Sequence, residues 1–265
     1  MAQAQTAATE APFLAAFEAH APLRFAALPG TNVDLFSLET ALARLDELSA
    51  LLSETEHARA AAIAHPGRRT AHIASRGLLR TALTEAAQGV VPPTAWRFGT
   101  SALGKPHVTS PQGIGMRFSL SYTPALIAIA ISQRFELGVD IEAVPTAPTE
   151  VPWQVLTPAE RQFIRTLPKA GQFTEFLNIW TIKEAYTKYL GVGASLDFRK
   201  VEVSTHLDRE SAHSGAETRL PEPMVKQRQL VVGREAVIVA VAAGKPASGT
   251  FVAPAGESVA LLHRL

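Results

Sequence analysis

The stretch FTEFLNIWTIKEAYTKYLG, residues 173–191, predicts one helix that is apolar on almost every side. At 3.6 residues per turn, one face carries Phe173, Phe176, Leu177 and Trp180. Continued in steps of four, the same face reaches Glu184 and then Lys188. A helix that is apolar nearly all round is normally buried, so we expect both charges to be partly desolvated. They then either form a helix-surface ion pair at i,i+4 or bind something charged.

The composition bounds the class of protein. The chain has 265 residues, 47% hydrophobic and 18% charged, which predicts a soluble globular protein with one large domain or two modest ones. A net charge of +1 argues against bulk nucleic-acid binding and electrostatic attachment to membranes. The absence of cysteine excludes disulfides, thiolate metal sites and a cysteine nucleophile. The N-terminus lacks a basic signal-peptide region and the run ALIAIAI is too short to span a bilayer, so we expect a cytoplasmic protein.

Hydrophobic periodicity predicts a mixture of helices and strands. Helices are expected at 39–63, 68–89, 157–167 and 173–191, and strands at 33–39, 116–123, 125–132, 137–144, 196–204 and 228–244. Within the first helical region, Ser53 followed three residues later by Glu56 has the pattern of a capping box. The strands at 125–132 and 137–144 are expected to form a hairpin through Gln133–Glu136. Because the elements do not alternate strictly as βαβ, the pattern favours an α+β fold over a doubly wound one.

Two carboxylates stand side by side in the strand LGVDIEAV, residues 137–144. Asp140 and Glu142 are two positions apart and therefore point to the same face, while Val139 and Ile141 point to the other. The pair is either part of an exposed acidic edge strand or a site for a hard divalent cation. Mg²⁺ suits the second interpretation because it takes few carboxylates, several waters and phosphate oxygens.

Basic residues recur on the helix predicted at 68–89. Arg69, His72, Arg76 and Arg80 are spaced by three and four, so they share one face. This face is either solvated surface or a cradle for phosphates, which arginine binds in a bidentate manner. Further along, GTSALGKP (99–106) resembles a nucleotide-binding P-loop but ends in Pro106 where a Ser or Thr is needed. We reject that interpretation, and expect the turn to hold Lys105 outward.

Four blocks taken in order give the chain a family resemblance. GKP, FSLSYT, GVDIE and WTIKEAYTKYLG resemble the signature blocks of the larger, Sfp-like 4′-phosphopantetheinyl transferases, and RRTAHIASRGLLR matches upstream. The resemblance covers residues 30 to 245. It implies a pseudo-dimeric fold of two similar α+β halves, with coenzyme A in the cleft between them. The halves would be 23–135 and 136–250, with an N-terminal tail or accessory helix at 1–22 and a C-terminal tail at 251–265.

The resemblance also implies an activity. Such enzymes move the phosphopantetheine arm of coenzyme A onto a serine hydroxyl of an apo acyl- or peptidyl-carrier protein, and release adenosine 3′,5′-bisphosphate. The carrier would serve fatty-acid, polyketide or nonribosomal-peptide synthesis. The cofactor would be Mg²⁺, with Mn²⁺ as an alternative, and the enzyme would be a monomer.

The resemblance assigns roles by matching positions. The metal ligands would be Asp140, Glu142 and Glu184. Glu184 would also take the proton of the carrier serine, directly or through a metal-bound water, and Lys188 would protonate or neutralise the departing phosphate. The coenzyme A contacts would be Arg69, Arg76, Lys105, Ser121, Tyr122 and Lys183, with Lys105 at the 3′-phosphate and Lys183 beside the nucleotide.

The chain departs from the family pattern at Tyr122. The family has a histidine between the two hydroxyl residues where this chain reads Ser121-Tyr122-Thr123, and tyrosine carries no positive charge near neutrality. Either weaker coenzyme A binding or a compensating cation from elsewhere is therefore expected, and not a loss of activity. The arginine helix of the family also carries a further basic residue where this chain has Ala71, for which His72 would be a partial substitute. Two alternatives remain: a homologue that binds coenzyme A or a carrier without turnover, and an unrelated Mg²⁺-dependent phosphohydrolase.

Overall fold

A computed structural model describes residues 13–15, 22–28, 30–193, 196–204, 223–244 and 259–262. The helices are α1 Leu38–Ala43, α2 Leu45–Ser49, α3 Glu54–Ala61, α4 Pro66–Ala86, α5 Pro158–Thr166 and α6 Lys169–Leu190. The strands are β1 Phe13–Ala15, β2 Leu23–Leu28, β3 Thr31–Ser37, β4 Arg97–Thr100, β5 Pro106–Ser110, β6 Arg117–Tyr122, β7 Leu126–Ser132, β8 Glu136–Ala143, β9 Val201–Ser204, β10 Met224–Val232, β11 Glu235–Gly244 and β12 Val259–Leu262. The predicted α+β class is confirmed.

The strands of the described residues form two four-stranded sheets and two smaller pairs. The first sheet has the order β2-β3-β7-β6 and is antiparallel throughout. The second sheet has the order β1-β10-β11-β8, in which only β1 and β10 run parallel. β4 pairs with β5, and β9 pairs with β12. Strands β6 and β8, which carry candidate site residues, each end their sheet.

The two sheets and the two long helices form four layers. In β7, Ile127 and Ile129 pack toward α4, while Ala128 and Ala130 join an apolar cluster shared with the second sheet. In β11, Val239 belongs to the shared cluster, and the alternate residues pack against α6. Because both faces of these strands are covered, their sequences are apolar at nearly every position. The order of layers is α4, first sheet, second sheet and α6.

The region 39–63 divides into three short helices rather than one. The break before α3 occurs at Ser53, whose side chain accepts from the Glu56 amide while Glu56 accepts from the Ser53 amide at 2.9 Å. This is the predicted capping box, and it is confirmed. Glu56 also pairs at 2.6 Å with Arg80, which is 0% exposed. Arg80 therefore lies in the interior and not on a solvated basic face.

The predicted hairpin at Gln133–Glu136 is wrong, because β7 and β8 lie in different sheets. The connecting turn is organised by Ser132, whose hydroxyl accepts from the amides of Arg134 and Phe135 at 3.2 and 3.1 Å and donates to the Gly30 carbonyl at 2.8 Å. Apolar alternation indicates that a segment is a strand, but it does not determine which strand lies beside it. The turn thus carries the chain from the first sheet to the second.

Helix α6 packs directly on the backbone of β8 at Gly138. A Cβ built on Gly138 would overlap the carbonyl oxygen of Ala185 and the amide nitrogen of Tyr189, and would lie 2.8 Å from the Cβ of Lys188. Only glycine allows a helix and a strand to approach this closely. The helix ends at Gly191, which adopts φ 74° and donates its amide to Thr187 at 2.9 Å. No helix of the described residues is long and apolar enough to cross a membrane.

Gly138→Ala is expected to destabilise the fold by about 3 kcal/mol or more, because the added methyl group meets backbone atoms that cannot move independently. The measurement is the free energy of unfolding in urea. Gly171→Ala is the matched control, since a Cβ there meets no described atom within 4 Å and alanine favours the helix. A loss of stability in Gly138→Ala no larger than in the control would contradict the close approach.

Candidate active site

Side chains from three elements meet at the edge of β8. The Lys188 ammonium, on α6, donates to Asp140 Oδ1 at 2.7 Å and to Ser121 Oγ at 3.0 Å. Ser121, on β6, donates in turn to the same Asp140 oxygen at 2.8 Å. The sequence left open an i,i+4 ion pair between Glu184 and Lys188. Among the described residues no such ion pair forms, because the Lys188 ammonium pairs with Asp140. The lysine instead pairs with a carboxylate on the neighbouring strand.

Strand alternation in β6 directs its serines toward β8. Phe118 packs with the apolar cluster around α4, whereas Ser119 and Ser121 lie on the opposite face. The Ser119 hydroxyl accepts the amide of Val139 at 3.0 Å, which satisfies a donor of an edge strand. The two serine side chains therefore connect β6, the edge strand of the first sheet, to β8, the edge strand of the second. This contact fixes the position of Asp140 relative to β6.

Asp140 is deeply buried, and its neighbours only partly compensate its negative charge. Its side chain is 6% exposed, and its second oxygen, Oδ2, is buried with no hydrogen-bond partner among the described residues. Burial raises the pKa of Asp140, and the bonds from Lys188 and Ser121 only partly offset that effect. A buried carboxylate oxygen without a partner is costly, so it marks a place where a cation or a donor would stabilise the protein.

Two further carboxylates share the electrostatic environment of Asp140. Burial and the negative charge of Asp140 raise the pKa of Glu142 and also that of Glu184. Glu142 accepts from the indole N–H of Trp180 at 3.0 Å, which orients it. Glu184 is half-buried, and no described residue donates to its carboxylate. Two carboxylates whose pKa values are raised by the charge of a third, Asp140, favour a bound cation.

The described residues contain no group of three acidic or histidine side chains already gathered at metal-binding distances. Asp140, Glu142 and Glu184 nevertheless fit a Mg²⁺ ion by their donor chemistry, because the free Asp140 oxygen is buried and all three ligands are hard. Mg²⁺ is commonly held by one or two carboxylates with waters and substrate phosphates completing its shell. An incomplete protein ligand set is consistent with that mode of binding.

The sequence model of the 4′-phosphopantetheinyl transferase superfamily matches residues 136–241, which contain β8 and α6. The chain is also 33% identical over 153 residues to the 4′-phosphopantetheinyl transferase HetI of Nostoc sp.. Residues 136–241, which include the candidate site on β8 and α6, are thus similar to this superfamily. An Sfp-like type is consistent with 27% identity over 112 residues to the 4′-phosphopantetheinyl transferase Sfp of Bacillus subtilis.

These similarities extend over part of each protein. The alignment with HetI covers 57% of this chain and 64% of the relative. For Sfp the shares are 42% and 49%, and for the 4′-phosphopantetheinyl transferase pptA of Paxillus involutus, 29% identical, they are 40% and 47%. The matched part of the chain thus spans between about half and two thirds of these superfamily members.

The structure places Lys183 away from this site, in the interior. Its side chain is 1% exposed, and its ammonium donates to Glu160 at 2.6 Å and to the Phe198 carbonyl at 2.9 Å. Glu160 belongs to the capping box of α5 with Thr157 and also accepts the Val203 amide at 2.8 Å. Adjacent helix positions face different sides, and this lysine is a buried link between α5, α6 and β9. Its expected place beside a nucleotide stays a prediction.

The basic residues of α4 separate into different environments. Arg69 is exposed and donates to the Ile63 carbonyl at 2.9 and 3.1 Å. Arg76 is half-buried and has no hydrogen bond or ion pair within the described part of the chain. Burial and the charge of Arg76 lower the pKa of His72, so this histidine is neutral near pH 7 and does not substitute for a basic residue. Of the predicted basic face, Arg76 is the cation best placed to accept an anion.

Lys105 lies just before a strand, and Tyr122 lies at the end of one. Lys105 precedes β5, and its ammonium donates to Glu136 at 2.9 Å and to the Tyr189 carbonyl at 2.8 Å. The Lys105 ammonium thus has two protein contacts, and its expected phosphate contact stays a prediction. Tyr122, the last residue of β6, is 48% exposed beside Ser121. Its hydroxyl is therefore available to a ligand that enters the site.

Sequence reasoning missed several residues that support the site. Trp180 looked like one more member of an apolar stripe, yet its N–H orients Glu142. Glu160 was not recognised, although Thr157-x-x-Glu160 is a capping-box pattern that could have identified it. Nothing in the local sequence marks Glu136 as the partner of Lys105 and Arg117, because 31 and 19 positions separate them.

Lys188→Met is expected to lower the free energy of unfolding at pH 8 by about 1–3 kcal/mol, since it leaves the buried Asp140 without its cation. The Asp140 pKa is then raised further above the value of about 3.9 in unfolded chains. The folded variant consequently binds a proton more tightly than the unfolded chain, and it regains stability as the pH falls toward that unfolded value. Urea unfolding at pH 5 and pH 8 measures this.

The control for this prediction is the double variant Asp140→Asn/Lys188→Met, in which no charge remains to be compensated. Its stability is expected to exceed that of Lys188→Met at pH 8. An equal deficit at both pH values, unchanged in the double variant, would show that Lys188 and Asp140 are not coupled.

Proposed function

We propose that this protein is a Mg²⁺-dependent 4′-phosphopantetheinyl transferase that modifies a serine of an apo acyl- or peptidyl-carrier protein. Coenzyme A is the donor and adenosine 3′,5′-bisphosphate is the by-product. The observation that carries the proposal is the contact of Lys188 with Asp140 and Ser121, next to two more carboxylates. The similarity of residues 136–241 to the 4′-phosphopantetheinyl transferase superfamily supports the same activity.

The cation would be held by Asp140, through its unpaired oxygen, together with Glu142 and Glu184. When bound, it would neutralise charge on the pyrophosphate of coenzyme A. Trp180 keeps one Glu142 oxygen occupied at 3.0 Å, which limits the orientations of that carboxylate. Mn²⁺ prefers the same oxygen ligands and is proposed as an alternative ion.

Glu184 is proposed to act as the general base, and Lys188 as the cation that faces the leaving group. The carrier serine oxygen forms a bond to the phosphorus of the phosphopantetheine phosphate, and its proton passes to Glu184. The phosphorus–oxygen bond within the pyrophosphate breaks, and its electron pair remains on the adenosine 3′,5′-bisphosphate. Lys188 neutralises that departing phosphate. The raised pKa of Glu184 makes it a stronger base than an exposed glutamate.

The nucleotide phosphates are proposed to contact the C-terminal end of β6 and Arg76 of α4. Ser121 and Tyr122 offer hydroxyl groups at the end of β6, and Arg76 offers a half-buried guanidinium without a protein partner. Arg69 is exposed and would join only if it released the Ile63 carbonyl. A tyrosine hydroxyl donates a single uncharged hydrogen bond, so the cationic contribution at this site would come from Arg76 and Lys188.

The layered architecture supports a pseudo-dimeric arrangement of two halves. Each four-stranded sheet carries one long helix on its outer face, α4 with 21 residues and α6 with 22. We propose halves at 23–135 and 136–250, flanked by segments at 1–22 and 251–265, of which the structure describes mainly β1 and β12. The cleft between them would contain Ser121 from one half and Asp140 from the other. We also propose a cytoplasmic, monomeric enzyme.

Intact-mass spectrometry tests the activity directly. An apo carrier protein mixed with this protein, coenzyme A and Mg²⁺ is expected to gain one phosphopantetheine unit, and EDTA is expected to abolish the gain. Glu184→Gln is expected to lower the rate at least 100-fold, as loss of a general base does. Glu175→Gln, on the same helix and bonded to Asn178 at 2.9 Å, is the matched control and is expected to keep the rate.

Other outcomes identify the alternatives. Binding of coenzyme A without a mass gain on several carriers would favour a silent binding protein. Cleavage of coenzyme A in the absence of any carrier would favour a phosphohydrolase. An unchanged rate in Glu184→Gln would remove Glu184 from the proposed mechanism while leaving the transferase activity itself established.

A further inference from the structure

The side chain of Lys105 connects three elements that build the site. Its base is fixed in the turn between β4 and β5, where the Lys105 amide donates to Ser101 Oγ at 3.0 Å and the Ser101 amide donates to the Lys105 carbonyl at 2.9 Å. Its ammonium donates to Glu136, the first residue of β8, at 2.9 Å, and to the Tyr189 carbonyl near the end of α6 at 2.8 Å. One cation thus joins the β4–β5 turn to β8 and α6.

The path of this side chain is tightly enclosed. The Lys105 stem crosses Gly191, where an added Cβ would lie 2.9 Å from Lys105 Cδ. Glycine is therefore required at position 191 for two reasons, since it also adopts φ 74° at the end of the helix. The side chain of Lys105 is only 18% exposed. A surface lysine that reached out for a ligand would not be covered in this way.

The acceptor of Lys105 is itself held in place. Arg117 donates to the other Glu136 oxygen at 2.7 Å and to the Gly115 carbonyl at 2.8 Å. A cation that contacts the carbonyl end of a helix also stabilises the helix dipole. Both features suit a structural contact with a fixed geometry.

The contacts of Lys105 lie next to the candidate catalytic residues. Tyr189 directly follows Lys188 on α6, and Glu136 shares its face of β8 with Asp140. We propose that Lys105 is a positioning residue, which holds the last turn of α6 against β8 so that Lys188 stays in contact with Asp140 and Ser121. This inference rests on the proposed transferase function, and it replaces the coenzyme A phosphate contact that the family resemblance implies for Lys105.

Two variants test the proposal, and a third is the control. Lys105→Met keeps the stem and removes the ammonium, and Glu136→Gln keeps the lysine but weakens its acceptor. Lys169→Met removes an exposed charge at the opposite end of α6. The first readout is amide hydrogen exchange of Gly191 and Val192, which donate to the Thr187 carbonyl at 2.9 and 3.2 Å and report opening of the helix end without substrate.

Positioning predicts roughly tenfold faster exchange at these two amides in both Lys105→Met and Glu136→Gln, and no change in Lys169→Met. In the transfer assay it predicts that kcat falls about tenfold in the first two variants, while KM for coenzyme A stays within about twofold. If Lys105→Met did not fold, Glu136→Gln alone would test the proposal, because Arg117 still contacts the side chain at position 136.

A direct phosphate contact predicts the opposite pattern. The KM for coenzyme A would then rise about tenfold or more in Lys105→Met, with kcat and the exchange rates unchanged, and Glu136→Gln would leave KM the same or lower it. That result would overturn the proposal. If the wild-type protein transferred nothing, the proposed function would fail, whereas the exchange rates would still show whether Lys105 holds the end of α6.

Discussion

The contact of α6 with the backbone of β8 at Gly138 determines the geometry of everything around it. Because no side chain intervenes there, the helix lies close enough for its side chains to meet those of the strand. Trp180 reaches Glu142, Lys188 reaches Asp140, and the end of the helix reaches the Lys105–Glu136 pair. Alternate residues of one strand thus meet residues about two turns apart on one helix. A displacement of the helix by even one side-chain diameter would separate these contacts together.

The three carboxylates of the site are buried or half-buried, and burial makes their charged form unfavourable. Burial raises the pKa of Asp140, and the Asp140 charge contributes to raising those of Glu142 and Glu184. Lys188 and Ser121 compensate one Asp140 oxygen and leave the other without a partner. In a low-dielectric site, such groups interact strongly with an incoming cation or polyanion. The same features that lower the stability of the protein therefore support the proposed binding of Mg²⁺ and coenzyme A.

Local sequence predicted those features that local physics determines. The apolar pattern of 173–191 located α6, the spacing of Asp140 and Glu142 placed them on one face, and Ser53 with Glu56 predicted the capping box. The failures involve residues far apart in sequence. The partner of β8, the interior positions of Lys183 and Arg80, and the pairing of Lys105 with Glu136 all depend on how the layers pack. The local sequence of a helix does not distinguish a charged residue that faces a ligand from one that faces a buried carboxylate of another element.

In the proposed mechanism, Asp140 makes the binding of coenzyme A depend on a divalent cation. Isothermal titration calorimetry of coenzyme A, with and without Mg²⁺, tests it in the wild-type protein and in Asp140→Asn. We expect Mg²⁺ to tighten binding by the wild-type protein at least tenfold, about 1.4 kcal/mol, and to have little effect in the variant. Equal affinity with and without Mg²⁺ in both proteins would contradict it.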